Sequence, residues 1–202
     1  MKACKKSIIL LSGLSLAAWV GMAGSSQAED KQIHRVVTTI DQSGKSTALF
    51  DSLVPLKLGG AGESVATMWL TEKAPSDFSW NADRASNRHG FAPGPNGTHM
   101  LIVEFPPVGP EVDKLDVNTM MNVVGADAPK RGLPPSHPLM HRTRTVDYAI
   151  IMLGEIDMLL DTGPVHLKAG DVVVQQATNH AWLNRGKEPC RIAFVMMGAQ
   201  EP

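Results

Sequence analysis

Short apolar runs separated by turn-forming residues fill most of the chain beyond residue 32. Runs of this length, bounded by Gly, Pro, Asn and Asp, are typical of an antiparallel β protein. From residue 139 onward they recur about every 8–12 residues, which is the spacing of a sandwich or jelly-roll barrel. We therefore predict an all-β fold with strands at 33–40, 47–53, 65–71, 98–105, 139–144, 147–153, 156–161, 165–168, 172–175, 180–184 and 191–197.

The middle of the chain interrupts this pattern. Lys114–Val124 reads as a short helix or an irregular segment, and residues 74–97 and 128–135 read as loops because of their Pro and Gly content. We predict a single domain over residues 29–202. Its barrel core covers about 139–198, and an N-terminal strand extension covers 33–110.

The first 28 residues have the pattern of a secretory signal peptide. Lys2, Lys5 and Lys6 precede an apolar run over 8–20, and Ala28 ends a small-residue stretch suited to cleavage. An uncleaved membrane anchor is the alternative, but the apolar run is shorter than the roughly 20 residues that span a bilayer. We expect cleavage after Ala28, a periplasmic or secreted protein, and no stable membrane insertion once the signal is removed.

Charge and cysteine content exclude some classes of protein. The 202 residues hold 19 Lys and Arg against 20 Asp and Glu, which is unlike a nucleic-acid-binding protein that neutralises phosphates. Signal removal takes away three lysines and no acid, so the formal net charge goes from −1 to −4. It also removes Cys4, and Cys190 alone cannot close an internal disulfide. Cys190 opens an apolar run and is interpreted as a small buried hydrophobe.

Candidate chemistry lies in two segments of the second half. Alternate residues of an extended chain share a face, which groups His141, Thr143, Thr145 and Asp147 on one side. The opposite face then carries Arg142, Arg144 and Tyr148. Six residues of straight strand span roughly 20 Å, so His141 and Asp147 would meet at one metal only if the chain bends. In the second segment, one strand face carries His180, Trp182 and Asn184.

These two segments resemble the two motifs of the cupins. The first cupin motif is His-x-His, three or four residues, Glu, six residues and Gly. The second is Gly, five residues, Pro-x-Gly, two residues, His, three residues and Asn. The residues of this chain at the corresponding positions are His141, Thr143, Asp147 and Gly154 for the first motif, and Gln175, Ala177, His180 and Asn184 for the second, with Gly170 separated from Gln175 by four residues instead of five. The resemblance covers residues 139–198.

The cupin resemblance implies a double-stranded β-helix with a pocket inside the barrel, preceded here by N-terminal strands and a short helix or loop. Carried over position by position, the family's metal site would consist of His141, Asp147 and His180 around one divalent ion, which would be Fe, Mn, Zn or Ni. The alternative is a metal-free pocket whose residues hydrogen-bond one another. Residues expected to line the pocket are Thr143, Thr145, Trp182, Asn184 and His137.

The resemblance also implies chemistry on a small organic molecule, of dioxygenase, decarboxylase or isomerase type. Because one fold carries many activities, two further hypotheses stay open. One is a binding module without catalysis. The other is a metal-free isomerase or epimerase, in which His141 or Tyr148 would serve as acid or base. We expect a small-molecule ligand or substrate, a homodimer, and no nucleic-acid partner.

Overall fold

The structure, a computed structural model, describes residues 32–79, 81–86 and 90–201. The predicted signal peptide lies outside these residues. Strands dominate the described chain, together with one short helix, α1 (Thr119–Val124). The strands are β1 (Gln32–Ile40), β2 (Ser46–Pro55), β3 (Lys57–Leu58), β4 (Ser64–Thr71), β5 (Thr98–Phe105), β6 (Thr145–Leu153), β7 (Glu155–Leu160), β8 (Gly163–Lys168), β9 (Val172–Gln176), β10 (Ala181–Leu183) and β11 (Cys190–Gly198).

Two antiparallel sheets form the barrel. The larger has six strands in the order β3-β4-β5-β11-β6-β9, and the smaller has three in the order β10-β7-β8. β11, near the end of the chain, pairs with β5 on one side and β6 on the other, so that Phe194 is opposite both Leu101 and Ala149. The N-terminal strands β4 and β5 are thereby built into the same sheet as the cupin-like half. This is the predicted all-β, jelly-roll architecture of a cupin.

The core lies between the inner faces of these sheets. Its central residues belong to one cluster contributed by both sheets, including Leu101, Ile151, Ile156 and Ile192, each at most 1% exposed. Apolar side chains alternate along the strands with outward-facing ones, as a one-sided sheet requires. Burial on one face is clearest in β6, where buried and less buried residues alternate, whereas all three residues of β10 are buried.

The β1–β2 hairpin covers the outer face of β4 and β5. A second apolar cluster there contains Ala66, Met68, Ile102 and Ala193, against which the hairpin packs Ile33, Val54 and Leu56. Arg35 of β1 joins the hairpin to the loop that follows β4. It donates to the carboxylate of Asp83, with a nitrogen–oxygen distance of 3.0 Å, and to the carbonyl of Met68 at 3.1 Å.

One predicted strand is absent. Residues 139–144 do not form a strand, and within them only His141 makes an isolated bridge, to His180. Prolines at 134, 135 and 138 precede this segment, and its side chains are anchored elsewhere: Arg142 donates to the carbonyls of Pro129 and Leu133. Arg142 therefore holds the 128–135 loop, and it also donates to Oδ1 of Asn179 at 2.7 Å.

Other expectations concern single elements. Lys114–Val124 contains α1, preceded by a 3₁₀ turn at Val112–Lys114. Cys190 is fully buried as a free thiol, and burial raises its pKa to about 11, which confirms the interpretation as a buried hydrophobe. Among the described residues, no helix has the length and apolar character needed to cross a membrane.

Replacing Gly154 by Ala will destabilise the fold more than replacing Gly44 by Ala. Both glycines have left-handed φ angles, 75° and 82°, where an L side chain costs about 1–2 kcal/mol. A Cβ at Gly154 would in addition lie 2.6 Å from the carbonyl oxygen of Pro189, whereas nothing lies within 4 Å at Gly44. Urea unfolding of both variants measures the difference, and equal losses of stability would contradict the close backbone contact at Gly154.

Candidate functional site

A cavity inside the barrel brings the predicted chemistry together. Its walls are largely aromatic and aliphatic, and include Phe91, Phe105, Trp182 and Phe194. Its polar lining residues include His141, Thr143, Asp147 and His180. No Lys or Arg is among the described residues that line it. The cavity is thus largely apolar, with a few hydrogen-bonding side chains in its wall.

Backbone hydrogen bonds between His141 and His180 place their two imidazoles together. Each residue donates its N–H to the other's carbonyl oxygen, at 2.9 Å in both directions. The ring centroids are 4.4 Å apart, and the ring planes are inclined by 50°. The two residues are 39 positions apart in the sequence, so this contact is a product of the fold.

Burial disfavours the charged form of both imidazoles. Burial lowers the pKa of His141, and burial together with the adjacent His141 lowers the pKa of His180 to about 3. The Nδ1 of His141 lies 2.9 Å from the carbonyl oxygen of Leu139, which can only accept, so this nitrogen carries the proton. The Nε2 of His141 is consequently a bare acceptor at the cavity.

Asp147 supplies a buried carboxyl to the cavity lining. It is 4% exposed, and its Oδ1 has no hydrogen-bond partner among the described residues. Burial raises its pKa from 3.8 to about 6, opposed by a hydrogen bond from Thr145. An unpartnered buried oxygen costs stability unless a proton, a ligand or a cation satisfies it.

The structure separates the predicted site residues into two groups. His141, Thr143, Asp147, His180, Trp182 and Asn184 all line the cavity. The amide of Asn184 is already committed to backbone, since it donates to the carbonyls of Phe105 and Glu188 and accepts from Gly186. Asn184 therefore shapes the wall and is not available to a ligand. The face shared by His141, Thr143, Thr145 and Asp147 is confirmed by their common burial, whereas Tyr148 on the opposite face is 44% exposed.

Two predicted pocket residues lie elsewhere. Thr145 is fully buried but is not part of the cavity lining, and its hydroxyl lies 2.7 Å from that of Thr143. His137 is also outside the lining, where its Nε2 is 3.1 Å from Asp113 Oδ1 and its Nδ1 accepts from the N–H of Leu139. The expectation that His137 lines the pocket is wrong because its ring is held by Asp113 and by the N–H of Leu139.

Two polar residues at the site were not anticipated. Glu63 lines the cavity from the loop before β4 and favours the charged form of His141. Gln175 is 2% exposed, and its amide nitrogen lies 2.7 Å from Nδ1 of His180. Gln175 occupies the Pro position of the second motif. This departure from the motif is visible in the sequence and could have pointed to Gln175. Glu63 lies far from both motifs and carries no such signal.

Curated relatives place the chain in a family. It is 44% identical over 185 residues to "Oryzines biosynthesis cluster protein J" of Aspergillus oryzae, covering 89% of this chain and 90% of the relative. It is 32% identical over 187 residues to "Phomopsin biosynthesis cluster protein D" of Diaporthe leptostromiformis, covering 89% and 87%. The "Cupin-domain-containing oxidoreductase srdD" of Neurospora crassa is 25% identical over 179 residues, covering 85% and 78%. The chain belongs to the cupin family.

Solved structures similar to this cupin are more distant in sequence. The cupin domain of Cnp3 from Schizosaccharomyces pombe is 15% identical, with a TM-score of 0.41 over 83% of this chain and 84% of that one. A cupin 2 conserved barrel domain protein from Salinispora arenicola is 14% identical, with a TM-score of 0.37 over 70% and 80%. No protein-family model matches the chain.

The cavity of this cupin fits a metal ion only in part. Asp147 Oδ1 and the Nε2 of His141 are acceptors suited to a cation. The described residues nevertheless include no group of three His, Cys, Asp or Glu side chains arranged to hold one ion. Thr143 stands where the first cupin motif has its second histidine, and its hydroxyl is hydrogen-bonded to that of Thr145. An ion bound by His141, Asp147 and His180 would require at least one of these side chains to move.

Replacing Asp147 by Asn will stabilise this cupin at pH 7.5 and have little effect at pH 4. A carboxyl whose pKa is higher in the folded protein binds its proton more tightly there, so Asp147 removes stability as the pH rises from about 4 to about 6. A shift from 3.8 to about 6 corresponds to at most about 3 kcal/mol at neutral pH. Urea unfolding at both pH values measures the effect.

The matched control is Asp51→Asn, which changes an exposed carboxylate of the β1–β2 hairpin. An Asp147→Asn variant that is equally stabilised at both pH values, or destabilised at pH 7.5, would contradict a buried Asp147 carboxyl with a raised pKa.

Proposed function

We propose that this cupin is an enzyme that converts a small, neutral and largely apolar organic molecule by acid–base chemistry at His141, His180 and Asp147. The observation that carries the proposal is the cavity itself. Two imidazoles in contact with each other and a buried carboxyl with a pKa of about 6 line a largely apolar chamber.

The lining sets the class of ligand. Phe105, Trp182 and Phe194 pack against one another with centroids 5.4–6.5 Å apart, so their faces and edges favour a flat apolar body, such as an aromatic ring. An anion would enter beside Asp147 and Glu63 with no Lys or Arg among the described lining residues to compensate it. Neutral molecules with hydroxyl or carbonyl groups are the ligands that this chamber supports.

The polar residues support proton transfer. Asp147 has a pKa close enough to neutrality to take up a proton and return it, and the Nε2 of His141 is an acceptor in the same cavity. Removing a proton from a carbon beside a carbonyl and returning it to a different atom is an isomerisation. Such a step conserves all atoms and electrons and needs no oxidant. It corresponds to the isomerase type among the activities implied by the family resemblance.

A second candidate is metal-dependent conversion, of dioxygenase or decarboxylase type. It is favoured by the unpartnered Oδ1 of Asp147 and by relatives named cupin-domain-containing oxidoreductases. A divalent ion, when bound, would supply Lewis-acid or redox chemistry, and His141, His180 and Asp147 are the residues that would hold it. In either case Phe105, Trp182 and Phe194 would orient the organic ligand.

Proton exchange measures the acid–base proposal. In D₂O, wild-type protein treated with a chelator will introduce deuterium beside the carbonyl of neutral hydroxyaryl ketones faster than buffer does, as read by NMR. Asp147→Asn and His141→Gln will lose about 100-fold or more of this rate, the size usual for a lost acid or base. Asp51→Asn will retain it. Benzoates of matched size will bind at least tenfold more weakly than the ketones.

The alternatives give distinct results. Turnover that appears only when Fe, Mn, Zn or Ni is restored supports the metal-dependent candidate and overturns the acid–base proposal. Binding of neutral ketones with neither exchange nor turnover identifies a binding module. Tight binding of the benzoates would contradict the ligand class.

A further inference from the structure

We propose that Gln175 holds His180 in the tautomer with its proton on Nε2, so that the cavity presents an N–H donor from His180 beside the bare acceptor nitrogen of His141. The pair then recognises a molecule that offers a hydrogen-bond acceptor and a hydrogen-bond donor side by side, such as a hydroxy ketone or its enol. This ligand class rests on the proposed function, whereas the tautomer does not.

The orientation of the Gln175 amide is set by the backbone of Thr178. Its Nε2 donates to the carbonyl oxygen of Thr178 at 2.9 Å, and its Oε1 accepts from the N–H of Thr178 at 3.4 Å. Rotating the amide by 180° would bring two acceptors together at the first position and two donors at the second. Thr178 can face Gln175 in this way because Ala177 has a left-handed backbone, with φ of 55°, and turns the chain back.

The oriented amide determines which nitrogen of His180 is protonated. Gln175 Nε2 has two hydrogens, and the one not donated to Thr178 is available to Nδ1 of His180, 2.7 Å away. A buried N–H facing another N–H at this distance is unfavourable, so Nδ1 acts as the acceptor. Because burial keeps the ring neutral, its single proton lies on Nε2.

The rival arrangement uses Thr178 directly. Nδ1 of His180 is 3.0 Å from the carbonyl oxygen of Thr178, a distance that also suits donation from a protonated Nδ1. That tautomer leaves the Gln175 amino group against an N–H and makes two donors compete for one carbonyl. It would be the preferred one if residue 175 could not donate, as with the Pro of the usual cupin pattern.

The two histidines therefore differ in what they present. His141 has only the Leu139 carbonyl at its Nδ1, which keeps the proton on Nδ1 and exposes an acceptor. His180 has a donor at its Nδ1 and exposes an N–H. Neither Nε2 has a hydrogen-bond partner among the described residues, and both side chains line the cavity. With the rings 4.4 Å apart, the donor and the acceptor face the same ligand.

The tautomer of His180 also affects whether this residue can bind a metal ion. A protonated Nε2 cannot ligate a cation, so His180 would have to change tautomer before it could serve as a ligand. Gln175 is thus a positioning residue that acts through His180. Replacing it by Glu supplies an acceptor in place of the donor, as in the carboxylate–histidine pairs that support metal ligands.

Long-range proton–nitrogen correlation spectra of protein labelled with ¹⁵N-histidine test the proposal directly. At pH 7.5 and without metal, the wild type will show His180 protonated on Nε2 and His141 protonated on Nδ1. Assignment uses the His141→Gln and His180→Gln variants. Gln175→Glu and Gln175→Met both remove the donor and will move the His180 proton to Nδ1, whereas Gln176→Glu, an exposed neighbour, will leave it on Nε2.

The wild-type spectrum alone decides the tautomer, even if a Gln175 variant fails to fold. His180 protonated on Nδ1 in the wild type overturns the proposal, and so does an unchanged tautomer in folded Gln175→Met. Equilibrium dialysis with Zn²⁺ gives an independent readout, in which Gln175→Glu will bind at least tenfold more tightly than the wild type, and equal affinity counts against the proposal. If the wild type does not catalyse deuterium exchange, the proposed function is contradicted, while the tautomer assignment of His180 is unaffected.

Discussion

The two backbone hydrogen bonds between His141 and His180 are the constraint on which the site depends. They join a segment that is not a strand to the start of β10, and they bring two imidazoles into contact within an apolar chamber. The donor and acceptor pattern of the cavity follows from the bridge, because each ring then meets the groups that fix its Nδ1.

The site is built at a cost in stability. Asp147 keeps an oxygen without a partner inside the protein, and both histidines are held neutral by burial. The pH dependences of these groups oppose each other. Asp147 removes stability as the pH rises from about 4 to about 6. His180, whose pKa is depressed from 6.5 to about 3, removes no stability above about pH 6.5 and removes progressively more as the pH falls from 6.5 to about 3. Sites that retain such unfavourable groups are commonly functional.

Much of the fold was predictable from the sequence because burial on one face gives a strand its alternation. The strands from β4 to β11 lie close to their predicted positions, and the shared face of His141, Thr143, Thr145 and Asp147 follows from the same periodicity. The segment 139–144 was predicted wrongly because the sequence does not show whether a backbone finds a strand partner, and this one has none apart from the bridge at His141.

The site itself was only partly predictable. Periodicity assigns a residue to a face, but it does not report distances between segments that are far apart in the sequence. The contact between His141 and His180, the approach of Glu63 and the engagement of Gln175 by Thr178 all depend on tertiary structure. The motif spacing indicated which residues to inspect. It could not show that Thr143 is bonded to Thr145 or that His137 faces Asp113.

We propose that the paired imidazoles of His141 and His180 bind the polar group of a neutral, flat molecule in the barrel cavity. A crystal structure of the protein with a bound simple phenol is the direct test. We expect the ring to pack against Trp182 and Phe194, with the phenol oxygen within hydrogen-bond distance of the Nε2 atoms of both histidines. A phenol bound only outside the barrel, or one whose oxygen points away from both histidines, would contradict it.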